Sequence, residues 1–498
     1  MDSSSAVAIS YKEHTINQIQ SRVSEQEKLF DYYIGDKSSL LQYLREVQEI
    51  TFNEGDIDEM QSNFLNITKK VINQLAIVYR ESAKRQILSE GKLDEDSTNE
   101  YNSIIPRNIN TIDKMAHRYA KLQNTSLTRI YFEDGKIKYE IRSSHLYDVV
   151  TSDDNPYKIT ELSYQRYFKN EKNEDELYKV YWTDKEHYRK KLVKVASLQN
   201  VGLDKIPIGN NSDMINPYGV IPFADLRLEM QGNYWGSGAT DLVNINEQIN
   251  FLLSDLINGG IIMQAWGTLV FQDTGLGLPT NNNPKGNIQN LRVGPKHPIA
   301  FETQNSEKSG SVSVVNGNPL IADVMNVIDW MIKLIAITKG LNPNSFLADA
   351  KATSGYSKVI DSLEQLEMRQ DDIEPCREYE DVRFDITKKI LNYHISTGEI
   401  TNYKPLDEDT YLQVTFSEIT VPKTTEEQIA QDEYDLKMGI VSVIDIARRQ
   451  FPDLEDAEIE KKILANKEIT KKFTAEVKPE IEPLKETEKE IPEDETVK

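Results

Sequence analysis

The sequence predicts an α+β fold on three observations. Its N-terminal stretch carries apolar residues at helical spacing, its middle holds short alternating strand-like pieces, and its second half is dominated by apolar helices. Residues 15 to 90 read as helical, with Ile16, Ile19, Val23, then Leu40, Leu41, Leu44, Val47, then Phe64, Ile67, Val71, Leu75 and Val78 in register. Within that run Tyr32-Tyr33-Ile34-Gly35 marks a helix end, because glycine accepts the left-handed conformation that terminates helices. A further helix is expected near Thr111 to Gln123.

The period then changes from helix to strand. Thr128-Arg129-Ile130-Tyr131-Phe132, a turn at Glu133-Asp134-Gly135 and Lys136 to Ile141 spell a hairpin. Tyr164 to Tyr167, Leu177 to Trp182 and Lys190 to Ala196 continue as short β pieces.

The central third is the most informative. After Asn233-Tyr234-Trp235-Gly236-Ser237-Gly238, Leu242, Ile245, Ile249, Leu252, Leu253 and Leu256 form one helical stripe that stops near Gly259-Gly260. A second helix is expected from Asn318 as N-cap and Pro319 at its first position, through Ile321, Val324, Ile328, Met331 and Ile335, to Gly340. Between them Thr268 to Gly317 is rich in Gly, Asn, Pro and Ser, with strand-like pieces at 268 to 271 and 311 to 315.

After a polar loop, Leu341 to Ser357, a long helix should run to about His394, kinked at Pro375. A strand at Thr410 to Phe416 precedes two capping boxes, Thr424 with Glu427 and Ser442 with Asp445, which announce short helices separated by Gly439 and Phe451-Pro452-Asp453. From Thr474 onward Glu, Lys and Pro alternate without apolar spacing, and a disordered acidic tail is expected.

Composition narrows the function. The chain has 498 residues, too many for one hydrophobic core, and its net charge of -23 argues against a surface that grips phosphates throughout. Cys376 is the single cysteine, so neither an internal disulfide nor a cysteine metal site is available, and a reducing cytoplasm fits. The N-terminus lacks the basic start and apolar run of a secretory signal. The longest apolar stretches, 256 to 271 and 327 to 337, fall short of about 18 uninterrupted apolar residues, and no membrane partner is expected.

Catalytic patterns are missing as well. There is no GxxxxGK[ST] loop, no HExxH helix and no GxSxG elbow, and Gly275-Leu276-Gly277 lacks the third glycine of a dinucleotide site. The six histidines never fall at i, i+3 or i+4, so no helical metal pair exists, and the carboxylate pairs Asp153-Asp154, Asp371-Asp372 and Asp453-Glu455 read as solvated faces and caps. The reading is therefore of a non-enzyme with no metal and no cofactor. Trp182, Trp235, Trp266 and Trp330 are scattered and suit packing or subunit contact.

The order of these parts resembles the portal proteins of tailed bacteriophages. Ile221-Pro222-Phe223, then Gly236 to Leu242, Asn246 and Asn250-Phe251-Leu252-Leu253-Ser254-Asp255 resemble the beginning of a portal stem, and Thr353 to Lys358 is similar to the step out of a tunnel loop. Val421-Pro422, Lys437 to Ser442 and Phe451 to Leu454 match the C-terminal pattern of that family. The resemblance implies a wing at 1–235, stem helices at 236–267 and 318–340, and a clip at 268–317. It further implies a tunnel loop at 341–357, a long wing helix and strand at 358–422, crown helices at 423–473 and the tail at 474–498.

It also implies a function: a dodecameric ring of identical subunits at one capsid vertex of the virion, assembled in the host bacterial cytoplasm. Double-stranded DNA is packaged and ejected through such a ring, which docks the packaging terminase and then the head-to-tail adaptor and contacts the major capsid and scaffolding proteins. Asn342, Asn344 and Lys351 would line the DNA channel, and Leu242, Ile249, Leu253, Val324, Ile328, Met331 and Ile335 would form the subunit interface of the stem. The competing expectation is another phage structural protein, a tail or minor capsid component without a DNA channel.

Overall fold

The structure, a computed structural model, describes residues 3–51, 62–170, 172–195, 198–202, 204–208, 213–257, 268–272, 311–315, 320–346, 355–417, 425–451 and 456–476. The chain divides into two compact units, Met1–Ile419 and Thr420–Lys498. Its class is α+β, and the paired strands are antiparallel among the described residues.

The first unit begins with helices α1 (Ser3–Ile34), α2 (Lys37–Thr51) and α3 (Ile67–Leu75). α1 ends where Gly35 adopts φ +77° and its N–H donates to the Asp31 carbonyl, as the sequence led us to expect. Among the described residues the helical reading of 15 to 90 ends at Leu75, however. Beyond it the chain forms strands β1 (Lys84–Ser89) and β2 (Lys92–Asp94), then α4 (Glu95–Ile104), capped by Asp94 on the Ser97 N–H. Helix α5 (Ile109–Gln123) follows and stops at Asn124, which takes φ +63°.

Strands β3 (Thr125–Glu133) and β4 (Lys136–Arg142) form the expected hairpin, with Asp134 and Gly135 both left-handed, the two-residue geometry that matches strand twist. Strands β5 (Tyr147–Thr151), β6 (Ile159–Lys169), β7 (Asp175–Thr183), β8 (His187–Val195) and β9 (Leu198–Val201) make one sheet in sequence order. β10 (Phe223–Arg227) joins the other edge of β3.

Helix α6 (Thr240–Asp255) is followed by β11 (Thr268–Gln272) and β12 (Ser311–Val315), which pair with each other, and by α7 (Ile321–Thr338). The expected start of α7 at Asn318 and Pro319 lies outside the described residues. Helix α8 (Gly355–Ser396) is continuous through Pro375, and β13 (Tyr411–Thr415) returns to pair with β1. That pairing explains why residues 84–89 are a strand: with Arg85 and Ile87 turned inward, β1 is the middle strand of the order β13-β1-β2, and its partner lies far along the sequence.

The second unit holds α9 (Thr425–Met438), α10 (Val443–Gln450) and α11 (Asp456–Glu476). Gly439 at φ +70° ends α9, and Ser442 with Asp445 forms the expected reciprocal capping box. Thr424 lies outside the described residues. Helix α11 continues to Glu476, past the expected start of the tail at Thr474, and the tail from 477 onward is outside the described residues.

Three cores hold the first unit. One joins α8 to α4, α5, β1, β3, β4, β10 and β13, a second is helical, drawn from α1, α2, α3, α6 and α7, and a third lies under the five-stranded sheet around Trp182 and Phe223. Through the first of these runs a buried ionic cluster. Arg85 reaches Asp113 at 2.5 Å and Glu380 at 2.6 Å, while Arg383 bonds Asp113 and meets Glu380 at 2.5 Å. All four side chains are buried. Burial raises the Asp113 carboxyl, whereas for Glu380 burial is outweighed by the Arg383 and Arg85 guanidiniums, which hold it below its usual range. Replacing Arg383 with Met should cost roughly 3–5 kcal/mol, since it strands buried charge. Urea unfolding measures this, and a loss under about 1 kcal/mol would show that the cluster is not what ties α8 to α5.

The third core carries a pH dependence. His187 stacks on Trp182 with ring centroids 3.4 Å apart, and burial, helped by the charge of Arg129, lowers its pKa from 6.5 to about 4. The folded state thus holds His187 neutral while the unfolded chain takes up a proton sooner. Stability should fall as pH drops from about 6.5 to about 4, by up to about 3 kcal/mol from this residue. Thermal melts across that range should show a shallower slope in His187→Gln than in the parent, and parallel slopes would sink the assignment.

Candidate functional site

The candidate site is the helix pair α6 and α7 with the segments attached to its two ends. Before α6, Gly236-Ser237-Gly238 runs against the end of α5. A Cβ on Gly238 would stand 2.3 Å from the Leu122 carbonyl oxygen, and one on Gly236 would stand 2.1 Å from Asn124 Nδ2, so the chain passes there only without side chains. The Ala239 N–H donates to the Leu122 carbonyl at 2.8 Å. At the same end of the pair, the Lys339 ammonium after α7 sits 2.7 Å from Asp241 in the first turn of α6. Past the other end of the pair in sequence, β11 and β12 form a two-stranded ribbon that closes the excursion between the helices.

A polar ladder on α6 fixes the N-terminal region. Asn246 Oδ1 accepts from the Ile67 N–H at 3.1 Å, the Thr68 N–H at 3.0 Å and the Thr68 hydroxyl at 2.9 Å, and Asn246 Nδ2 donates to the Leu65 carbonyl at 2.7 Å. One turn on, Asn250 Oδ1 accepts from the Leu65 N–H, and the Ser254 hydroxyl accepts from the Asn63 N–H. The first N–H groups of α3 have no partner inside their own helix, and Asn246 supplies one from outside while Asn66 caps Lys69. The spacing Asn246, Asn250, Ser254 was visible in the sequence as part of the stem pattern, but its role was not.

The expected site residues divide sharply. Leu242, Ile249, Ile328, Met331 and Ile335 are buried in the helical core of the chain itself, with Leu253 and Val324 half-buried against it. These seven hold α6 and α7 to α1, α2 and α3, and a second copy meeting this chain would find other side chains. On α7 those are Met325, Val327, Trp330 and Ile337, with Trp330 60% and Ile337 61% exposed. Periodicity marks both faces of such a helix as apolar and cannot say which is inward.

In the loop after α7, Gly340 takes φ +60° and Leu341 is buried. A Cβ at Gly340 would lie 2.8 Å from Met368 Sδ on α8, so the turn is pressed on the long helix. Pro343–Phe346 forms a single 3-10 turn, with the Lys70 ammonium 4.4 Å from the Phe346 ring centre. Asn342 is half-buried, Asn344 belongs to the 3-10 turn, and Lys351 lies outside the described residues. Of the tryptophans, Trp182 is buried, Trp235 lies beneath the Arg22 guanidinium at 3.8 Å, and Trp266 is outside the described residues.

Among the described residues no group of three or more His, Cys, Asp or Glu side chains could hold a metal ion, and no helix is long and apolar enough to cross a membrane. The second unit repeats the theme of uncovered apolar surface. Ile459 is its one buried hydrophobic among the described residues, while Ile429, Tyr434, Met438, Ile440, Leu464 and Ile469 are exposed.

Asn246→Ala should destabilise the protein by roughly 2–4 kcal/mol, because it leaves the buried Thr68 N–H and hydroxyl without their acceptor and removes one of the two acceptors of the Ile67 N–H. Amide hydrogen exchange at Ile67 and Thr68 should accelerate with it, and unchanged protection there would contradict the capping role. Comparison with protein-family models and with curated proteins finds no match for this chain.

Proposed function

We propose that this chain is a portal subunit of a tailed bacteriophage, one copy of a closed ring through which double-stranded DNA enters and leaves the capsid. The observation that carries the reading is the set of large apolar side chains that α7 leaves in water, Val327, Trp330 and Ile337 on the side away from the core and Met325 at its margin, interleaved with Asp323, Asn326 and Asp329. Soluble monomers rarely leave such a patch uncovered, and obligate interfaces bury it against a copy of the same chain. The exposed apolar residues of the second unit support the same conclusion.

The order of elements supports the portal form of ring in particular. A helix pair brackets a ribbon-based insert, a short loop follows, and a 42-residue helix succeeds it, in the sequence stem, clip, stem, tunnel loop, wing helix. In that reading residues 273–310 with the ribbon dock the terminase and then the adaptor. Asn342, Asn344 and Lys351 belong to the segment facing DNA, where a net charge of -23 keeps the duplex from adhering.

Negative-stain electron microscopy with native mass measurement tests the ring. The parent chain should give annular particles of about a dozen copies. The double variant Trp330→Glu, Ile337→Glu should stay folded, since both side chains are exposed, and should remain monomeric. Rings that form equally well in the variant would remove α7 from the interface, and a parent that gives compact particles without a hole would overturn the channel.

A further inference from the structure

We propose that the aspartates interleaved with the exposed apolar side chains of α7 dock on a cationic cavity of the next copy in the ring. The inference rests on the ring reading above and names the surface that receives α7. In a closed ring of more than two copies the contact is heterologous, so the exposed side of α7 meets a different surface of its neighbour and not itself.

That side specifies what it needs. Asp323, Val327 and Trp330 follow one another at i, i+4 and i+7, Asp329 stands beside Trp330, and all four are exposed. Neither aspartate forms an ion pair among the described residues, and neither does Lys333, one turn beyond Asp329. Burying Val327 and Trp330 against a neighbour buries two carboxylates with them, which is costly unless cations answer them.

The receiving surface must therefore be open and cationic, in a chain of net charge -23. A cavity of 380 Å³, where the turn after α3 meets α5 and α8, has both properties. Arg80, Lys114 and Arg118 line it, and no Asp or Glu of the described residues does. Arg80 is exposed, while Lys114 and Arg118 are half-buried one turn apart on one face of α5. None of the three forms an ion pair among the described residues, and Arg118 has a neutral partner in the Tyr33 hydroxyl. The C-terminal end of α3 supplies about -0.5 of an elementary charge, which one cation satisfies and three exceed.

Two other cavities of the first unit do not offer this. In the one beside Gly238, Lys121 is held by Asp372 and Lys339 by Asp241. In the one beside Leu146, Lys179 is held by Asp148 and Arg142 by Glu140. Two unpaired aspartates on one surface and three unpaired cations on another are complementary in sign, and the exposed Trp330 ring has a cation to lie against in the exposed Arg80 guanidinium.

Charge reversal tests the pairing in the full chain, read by native mass measurement and negative-stain electron microscopy. The variant Asp323→Lys, Asp329→Lys and the variant Arg80→Glu, Lys114→Glu should each fail to form rings. Their equimolar mixture should form them, because copies alternating around an even-numbered ring set lysine against glutamate at one contact and aspartate against arginine and lysine at the next. The milder pair Asp323→Asn, Asp329→Asn should raise the concentration at which half the copies are in rings by at least about tenfold, whether or not the reversed variants fold. Rings from either reversed variant alone, a mixture of folded variants that stays monomeric, or an unchanged midpoint in the Asn pair would overturn this contact while parent rings remain. A parent chain that forms no ring would overturn it together with the ring reading.

Discussion

Four charges with no access to water set the geometry of the first unit. Arg85 from β1, Asp113 from α5, and Glu380 and Arg383 from one turn of α8 sum to zero, and each carboxylate is bonded to both guanidiniums. A buried cluster of this kind adds little net stability beyond an apolar substitute of the same volume, yet it is costly to misalign. An apolar core would tolerate α8 sliding by a turn, whereas here such a slide would separate Glu380 and Arg383 from partners on two other elements. The surrounding hydroxyl contacts, Tyr379 to Thr128 at 2.8 Å and Tyr139 to Thr387 at 3.1 Å, extend the same registration to β3 and β4.

From that fixed helix the remaining parts take their positions. Lys388 donates to the Glu408 and Thr410 carbonyls, which sets the return into β13, and β13 supplies the edge that makes residues 84–89 a strand. Near the other end of α8, Met368 lies against Gly340, so the turn that closes α7 is positioned by the same helix. The α6–α7 pair is therefore placed by α8 at one point, by the glycine-lined passage against α5 at another, and by the Asn246 ladder to α3 at a third.

Local signals were legible in the sequence where they act over a few residues. Gly35, Asp134-Gly135, Gly340 and the Ser442–Asp445 capping box each do what their chemistry dictates regardless of the rest of the chain. What could not be read is whatever depends on distant partners. Residues 84–89 fell inside a stretch read as helical because their strand partner stands at 411–415, and nothing local marks Arg85 or Arg383 for burial, which depends on counter-charges the neighbouring sequence does not reveal. The stem residues expected at a subunit interface were identified as apolar, and they are, but a helix with two apolar faces has to be seen packed before its inner and outer faces can be distinguished.

The exposed side of α7 also bears on the assembly proposed for so acidic a chain. Copies of charge -23 placed side by side repel, and screening at physiological salt weakens that repulsion only beyond about 8 Å. The surfaces that meet must therefore be poor in carboxylate. Helix α7 comes near this condition: its 18 residues hold Asp323, Asp329 and Lys333, a net charge of -1, and its exposed side interleaves the two aspartates with Val327, Trp330 and Ile337. Burying that face costs little in like-charge repulsion and removes apolar surface from water.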